Sequence, residues 1–129
     1  MSTLPERFEE FADARRQGFL KVKELKDKGE NICGTFCQFA PGEIIDAAGL
    51  YQVGLCGTSP EPIPDAETQL PANLCPLIKS SYGFALTQKC PYAYFSDLVV
   101  GETTCDGKKK MYEILGELKD MYVVHLPNN

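Results

Sequence analysis

The residues predict an α/β fold built on a parallel sheet with helices on both of its faces, and three observations carry that prediction. Short apolar runs recur along the chain, at Ile32–Cys37, Leu50–Cys56, Leu98–Val100 and Met121–Leu126. Each is the length of a strand, and Leu98-Val99-Val100 is apolar throughout, as a strand buried on both faces must be. Between the runs lie stretches of helical period, such as Met111, Ile114, Leu115 and Leu118 on one stripe. The segment Asp97–Met111 passes from an apolar run through the tight turn Thr103-Thr104-Cys105-Asp106-Gly107 into that helix. This is the junction of a βαβ unit, and its turn lies at the carboxyl edge of the sheet, where open α/β folds bind ligands.

Taken in order, Pro5 to about Lys28 reads as an amphipathic packing helix, with Phe8, Phe11, Phe19 and Val22 near one face and Gly29 as its stop. Ile32–Cys37 is the first strand. Pro41-Gly42-Glu43 opens a helix carrying Ile44, Ile45, Ala47 and Ala48, since Pro suits a first helical turn and Glu43 suits its dipole. Gly49 ends it, and Leu50–Cys56 is the second strand. The proline-rich Glu61–Pro71 is a surface connection with a helical turn at Asp65–Leu70. A helix begins at Cys75-Pro76, with Cys75 in the N-cap region and Leu77, Ile78, Tyr82 and Ala85 or Leu86 on its buried side. Thr87–Ser96 reads as an aromatic loop. Leu98 onward is the third strand, and Met121–Leu126 the fourth. The expected architecture is a Rossmann-like parallel sheet of about four strands over residues 31–129, preceded by a helix over residues 1–30. The last strand has no helix after it, which reads as a boundary to a further domain.

Composition narrows the function. A hydrophobic share of 43% with 24% charged residues is that of an ordinary globular chain and excludes a disordered one. The net charge of −5 argues against a nucleic-acid partner. No apolar run approaches the roughly 20 residues that span a membrane. The charged N-terminus MSTLPERFEEFADARRQ lacks the apolar core of a signal peptide, so a cytoplasmic location is expected.

Six cysteines are many for such a chain. Cytoplasmic thiols stay reduced, which leaves metal binding, redox chemistry or burial as small apolar groups. The spacing contains no Cys-x-x-Cys pair, and the single His125 lies in a predicted strand with no second histidine to share a metal. Topology says more. Cys37, Cys56 and Cys105 end strands and Cys75 precedes a helix, so all four fall on one edge of a parallel sheet. Cys90 follows a helix and joins them only if the aromatic loop folds back. Cys75 and Cys90 are each followed by proline, a feature that recurs in iron–sulfur sites. Cys33 begins a strand and reads as core. From the residues alone two readings stand: thiolates gathered around a metal cluster, with Cys105 central, or dispersed thiols without one.

Three stretches carry a resemblance. They are G-T-F-C-Q-F-A-P-G-E-I-I-D-A-A-G (Gly34 to Gly49), L-P-A-N-L-C-P-L-I-K-S-S-Y-G (Leu70 to Gly83) and T-T-C-D-G-K-K-K-M-Y-E (Thr103 to Glu113). In this order they resemble the 2-hydroxyacyl-CoA dehydratase and benzoyl-CoA reductase superfamily. Within it, K-C-P-Y-A-Y-F-S-D-L-V-V-G-E-T-T-C-D-G-K-K-K (Lys89 to Lys110) is similar to the double-cubane-cluster reductases. The resemblance implies that Cys75 and Cys105 are cluster ligands common to the superfamily, and that Cys56 and Cys90 are additional ligands of the double-cubane branch. Cys37 matches a widespread family cysteine with no ligand role implied. Family members add ligands from a second α/β domain, which this sequence lacks.

The resemblance further implies an oxygen-sensitive iron–sulfur reductase, fed low-potential electrons by an ATP-dependent activator and reducing a small unsaturated substrate. The alternatives are a subunit of a 2-hydroxyacyl-CoA dehydratase with a single [4Fe-4S] cluster, and a non-catalytic α/β fragment. Implied partners are that activator, the missing second domain or subunit, and a second copy in a homodimer. Among the other polar residues, Lys108, Lys109 and Lys110 read as solvated surface, or one of them offsets a cluster's charge. Lys79, Ser80 and Ser81 read as an exposed helix face or as donors to cluster sulfides. Asp106 reads as a helix cap. Glu102 beside the turn has the chemistry of a proton donor. An exposed apolar face is expected where a second domain packs.

Overall fold

The computed structural model describes residues 4–37 and 39–127, with side chains described from residue 9. Its elements are α1 (Leu4–Asp27), β1 (Asn31–Thr35), α2 (Gly42–Ala47), β2 (Leu50–Gly54), α3 (Ile63–Ala66), α4 (Pro76–Thr87), α5 (Pro91–Phe95), β3 (Leu98–Glu102), α6 (Asp106–Leu118) and β4 (Met121–Val124). The strands form one sheet in the order β2-β1-β3-β4, and every pairing is parallel. The predicted α/β class, sheet and leading helix are therefore observed; β1, β2 and β4 each end two residues before their runs do, and β3 continues two residues past Val100.

Alternate residues of each strand face opposite layers, as the pleat requires. Val53, Val99 and Val123 pack with Ile78 and Tyr82 of α4 and Met111 and Leu115 of α6 in the main core. Cys33 and Val100 face the other way, against Ile45 of α2, with Leu50, Leu98 and Val124 around them. Cys33 is fully buried, the core role its position predicts. α2 has only six residues and leaves much of this second face open. An apolar groove of about 730 Å³ remains there, lined by Ile44, Leu50, Leu98, Val100, Tyr122 and Val124.

Several local expectations are corrected. Phe11 is 72% exposed, because α1 docks through its second half, where Phe19 meets Tyr92 at 4.9 Å between ring centroids; the side chain of Phe8 lies outside the described residues. Leu77 points outward while Ile78 and Tyr82 are buried. The helical turn expected at Asp65–Leu70 starts earlier, at Ile63, with Pro64 in its first turn. The aromatic loop contains α5, which Pro91 starts from its first position. The predicted stops hold: Gly29 and Gly49 take φ of 81° and 82°, left-handed values that glycine adopts without strain.

α1 is tied to the sheet by Asp97. Lys26 Nζ donates to both of its carboxylate oxygens at 2.7 Å, and the Ile32 N–H donates at 2.9 Å. Burial pushes the Asp97 pKa up, but Lys26 and the Ile32 N–H outweigh it and leave the carboxyl below its ordinary value. A depressed folded-state pKa adds stability that is present above the unfolded value and lost as pH falls through the folded one. Asp97→Asn should therefore lower the urea midpoint at pH 7. The loss should stay under about 1 kcal/mol, because solvent screens a pair this exposed, its carboxylate being 39% open. The gap from wild type should close in acid; a gap of the same size below the folded pKa would show that the charge is irrelevant.

Candidate functional site

Three strands end side by side in the order β2, β1, β3, and a cysteine follows each. Thr35 pairs with Gly54 on one side and with Val100 on the other. Cys37 and Cys56 thus stand two residues beyond the same rung, and Cys105 follows β3 past Thr103 and Thr104. The chain leaves β1 toward β2 through α2, and returns to β3 through helices on the opposite face. The gap between β1 and β3 is therefore the topological switch point, the crevice where open α/β sheets receive ligands.

Helix starts bring in the other cysteines. Cys75, Cys90 and Cys105 are the N-cap residues of α4, α5 and α6, and proline follows the first two. Free backbone N–H groups at helix starts favour negative charge, which suits a thiolate. The segments touch one another. The Gly57 N–H donates to Ser81 Oγ at 2.8 Å and Ser80 Oγ donates to the Ser59 carbonyl at 2.5 Å, fastening the Cys56 loop to α4. A Cβ on Gly107 would lie 2.6 Å from Ile78 Cδ1, so the start of α6 abuts α4 as well. Cys56, Cys75 and Cys105 thus sit on three segments in contact at one edge, all exposed and none in a disulfide.

Cys90 is the departure from simple layout. It does not sit at the far edge: the chain reverses after α4 at Gln88, whose φ is 58°, and Cys90 lines the same cavity of about 330 Å³ as Cys56, together with Arg15, Phe19, Thr58 and Tyr92. Among the described residues, no three His, Cys, Asp or Glu side chains stand close enough together to hold a metal ion.

At the switch point lies a cluster that sequence reasoning missed. Cys37 adopts φ of 67°, left-handed backbone that costs a non-glycine residue about 1–2 kcal/mol. Its Sγ lies 3.4 Å from Thr104 Oγ1 and accepts a hydrogen bond from Lys108 Nζ. Lys108 is 8% exposed, so the first lysine of the run is not solvated surface, whereas Lys109 and Lys110 are exposed. Burial acts to lower the Lys108 pKa, but the Cys37 contact and the charges of Cys37, Cys56 and Cys105 prevail and raise it. Below, Tyr112 donates to the Glu102 carbonyl at 2.8 Å. Burial first, then the charge of Cys37, pushes its phenol well above the ordinary range. Glu102 is fully buried; one oxygen accepts from the Phe39 N–H at 2.8 Å, and the other has no hydrogen-bond partner among the described residues.

Other expectations fail for identifiable reasons. Lys79, Ser80 and Ser81 are buried, and their donors are committed within the chain: Lys79 to Glu67 and the Ala72 carbonyl, Ser80 to Ser59, Ser81 to the Leu77 carbonyl. They form neither an exposed face nor a free donor set. Asp106 is the first residue of α6, not its cap, and no side chain caps that helix. His125 is exposed and lies one residue past β4.

Fold and site together define an α/β module that presents unpaired cysteines, with one buried ammonium among them, at the carboxyl edge of a parallel sheet. The chain belongs to the family described as 2-hydroxyglutaryl-CoA dehydratase, D-component, whose sequence pattern matches residues 37–129. It is 60% identical over 129 residues to "Putative dehydratase subunit YjiM" of Escherichia coli (strain K12), an alignment covering 100% of this chain and 34% of that protein. It is 26% identical over 111 residues to the (R)-phenyllactyl-CoA dehydratase beta subunit of Clostridium sporogenes, covering 84% of this chain and 29% of that one. The chain thus spans about a third of the length of these curated relatives. Among the described residues no helix is long and apolar enough to cross a membrane.

Proposed function

We propose that this chain contributes thiolate ligands, Cys75 and Cys105 first, to the iron–sulfur centre of a cytoplasmic 2-hydroxyacyl-CoA dehydratase-family subunit. The observation that carries it is the placement of cysteines at the starts of α4 and α6, two touching helices at one sheet edge. The donor set fits an iron–sulfur group: sulfur is a soft ligand matched to such clusters, the thiols are unpaired, and Lys108 supplies a positive charge beside them. Among the described residues no three of these side chains stand close enough to hold a metal ion; in this proposal a second domain or subunit supplies the remaining ligands. When bound, a [4Fe-4S] cluster would supply one-electron chemistry. The chain's own residues orient the sulfurs, through helix starts stiffened by Pro76, and screen the site on the sheet side with Tyr112 and Phe36, which are buried. An ATP-dependent activator as electron donor and a second copy as a homodimer partner belong to this proposal.

A second reading is favoured by one observation. Cys56 and Cys90, extra to the single-cluster pattern, line one cavity. That suits a double-cubane reductase of small unsaturated substrates, in which these two residues are further ligands.

Anaerobic reconstitution of the chain with ferrous iron and sulfide tests the proposal. Wild type should retain iron and sulfide with broad sulfur-to-iron absorption, and Cys75→Ser combined with Cys105→Ser should abolish both. Wild type that retains no iron, both alone and together with the polypeptide that supplies the remaining ligands, overturns it. Loss of about half the iron on Cys56→Ser with Cys90→Ser, the share expected if one of two cubanes is held there, would select the double-cubane reading.

A further inference from the structure

We infer that the cavity at the end of β2 is a binding site for a small carboxylate with an apolar body. It stands apart from the centre assigned to Cys75 and Cys105, neither of which lines it. The place suits a ligand. Gly54, Leu55 and Cys56 enter the lining where β2 reaches the carboxyl edge, at which open α/β sheets bind ligands. α1 contributes from a second side, and α4 and α5 from a third. The volume of about 330 Å³ is at the lower end of the roughly 300–1,000 Å³ of small-molecule sites, so the ligand is small.

The lining sets the chemistry. Phe19, Phe84 and Tyr92 give it an aromatic surface, with the Phe19 and Tyr92 rings 4.9 Å apart between centroids. The charged groups on it are Arg15 and Lys89, both positive, and among the described residues no carboxylate lines it. The two cations are not equivalent. Lys89 Nζ lies 2.7 Å from Glu61, which offsets its charge. Arg15 makes no ion pair among the described residues. Its guanidinium lies 5.5 Å from the centroid of the Phe19 ring and donates to Thr58 Oγ1 at 3.4 Å. A guanidinium carries five N–H donors in a planar fork matched to a carboxylate, so most of them are left for a ligand. An unpaired guanidinium beside an aromatic lining matches a molecule with a negative head and an apolar body. A neutral ligand would leave the charge unanswered, and a plain anion would leave the rings in water.

Cys56 and Cys90 line the cavity while Cys75 and Cys105 do not, so their thiols report on it. The iron-free chain is alkylated with iodoacetamide and each cysteine is followed by peptide mass spectrometry. Phenylacetate should slow Cys56 and Cys90, with half-protection at about 1 mM or below, an affinity within reach of a ligand of its size. At ten times the half-protecting concentration both should react about ten-fold more slowly, and Cys75 and Cys105 should keep their rates. Acetate, which lacks the apolar body, and phenylacetamide, which lacks the charge, should not protect. Arg15→Gln should weaken protection by about ten-fold or more, the loss of a charge-assisted hydrogen bond. Its urea midpoint should stay near wild type, because Arg15 is exposed. Arg16→Gln, one residue along α1 and outside the lining, should bind as wild type does. No protection by phenylacetate, equal protection by acetate or phenylacetamide, equal slowing of all four cysteines, or full protection in Arg15→Gln overturns the inference. Loss of half the iron on Cys56→Ser with Cys90→Ser also overturns it, since the cavity would then belong to a cluster.

Discussion

Leu115→Ala should lower stability by about 2–5 kcal/mol, the range for a leucine removed from a core that cannot collapse around the space. Leu115 is 1% exposed and shares the main core with Ile78, Tyr82, Val99 and Met111. It sits one turn beyond Met111 on the face of α6 that meets the sheet. At a urea slope of about 1–3 kcal/mol/M, the midpoint should fall by more than 1 M in most of that range. Leu118, 45% exposed at the end of the same helix, supplies the comparison: Leu118→Ala should stay within about 0.5–1 kcal/mol. Equal losses at the two positions would mean that α6 is not anchored as described. The consequence reaches the site, since α6 carries Cys105 at its start and Lys108 in its first turn. Loosening its far end frees both.

Much of this was legible before any coordinates. Parallel strands are buried on both faces, so Leu98–Val100 stands out as an uninterrupted apolar run. Cys75-Pro76 marks a helix start because proline has no N–H to lose there. The same signal at Cys90-Pro91 is masked by the aromatic residues around it, so the sequence of α5 resembles a loop. Lys108 was illegible for a different reason. Three consecutive lysines spaced about 100° apart on a helix look alike in sequence, and only tertiary placement decides that the first turns inward while the others face water. Its partner Cys37 is 71 positions away, too distant for any local pattern to couple them. Sequence could set the sulfurs on one edge of the sheet; it could not give their spacing, nor that the chain reverses at Gln88 and leaves Cys90 on the same cavity as Cys56.

Gly57→Ala should be destabilising by about 1–3 kcal/mol, and the sign comes from a contest of two effects. Alanine in a loop restricts the unfolded chain and, where it fits, stabilises by about 0.4–1 kcal/mol. Here it does not fit. Its Cβ would lie 2.3 Å from Ser80 Oγ, 2.7 Å from Ser81 N and 2.8 Å from the Ser80 carbonyl carbon. The hydroxyl is already bonded to Ser59, and the other two atoms are the backbone of α4, which cannot rotate aside. Overpacking of this kind costs about 1–3 kcal/mol and prevails. Either α4 or the Cys56 loop must shift, stretching the Gly57 N–H bond to Ser81 and moving Cys56 away from the helix that begins at Cys75. Iron retained after reconstitution should fall together with the urea midpoint. Gly54→Ala is the control, since nothing lies within 4 Å of a Cβ at that position, and it should leave both quantities near wild type. If the two alanines behave alike, close contact between the loop and α4 is not what positions Cys56. If Gly57→Ala lowers the midpoint yet leaves iron untouched, the contact serves the fold alone, and the proposed iron binding does not depend on where it holds Cys56.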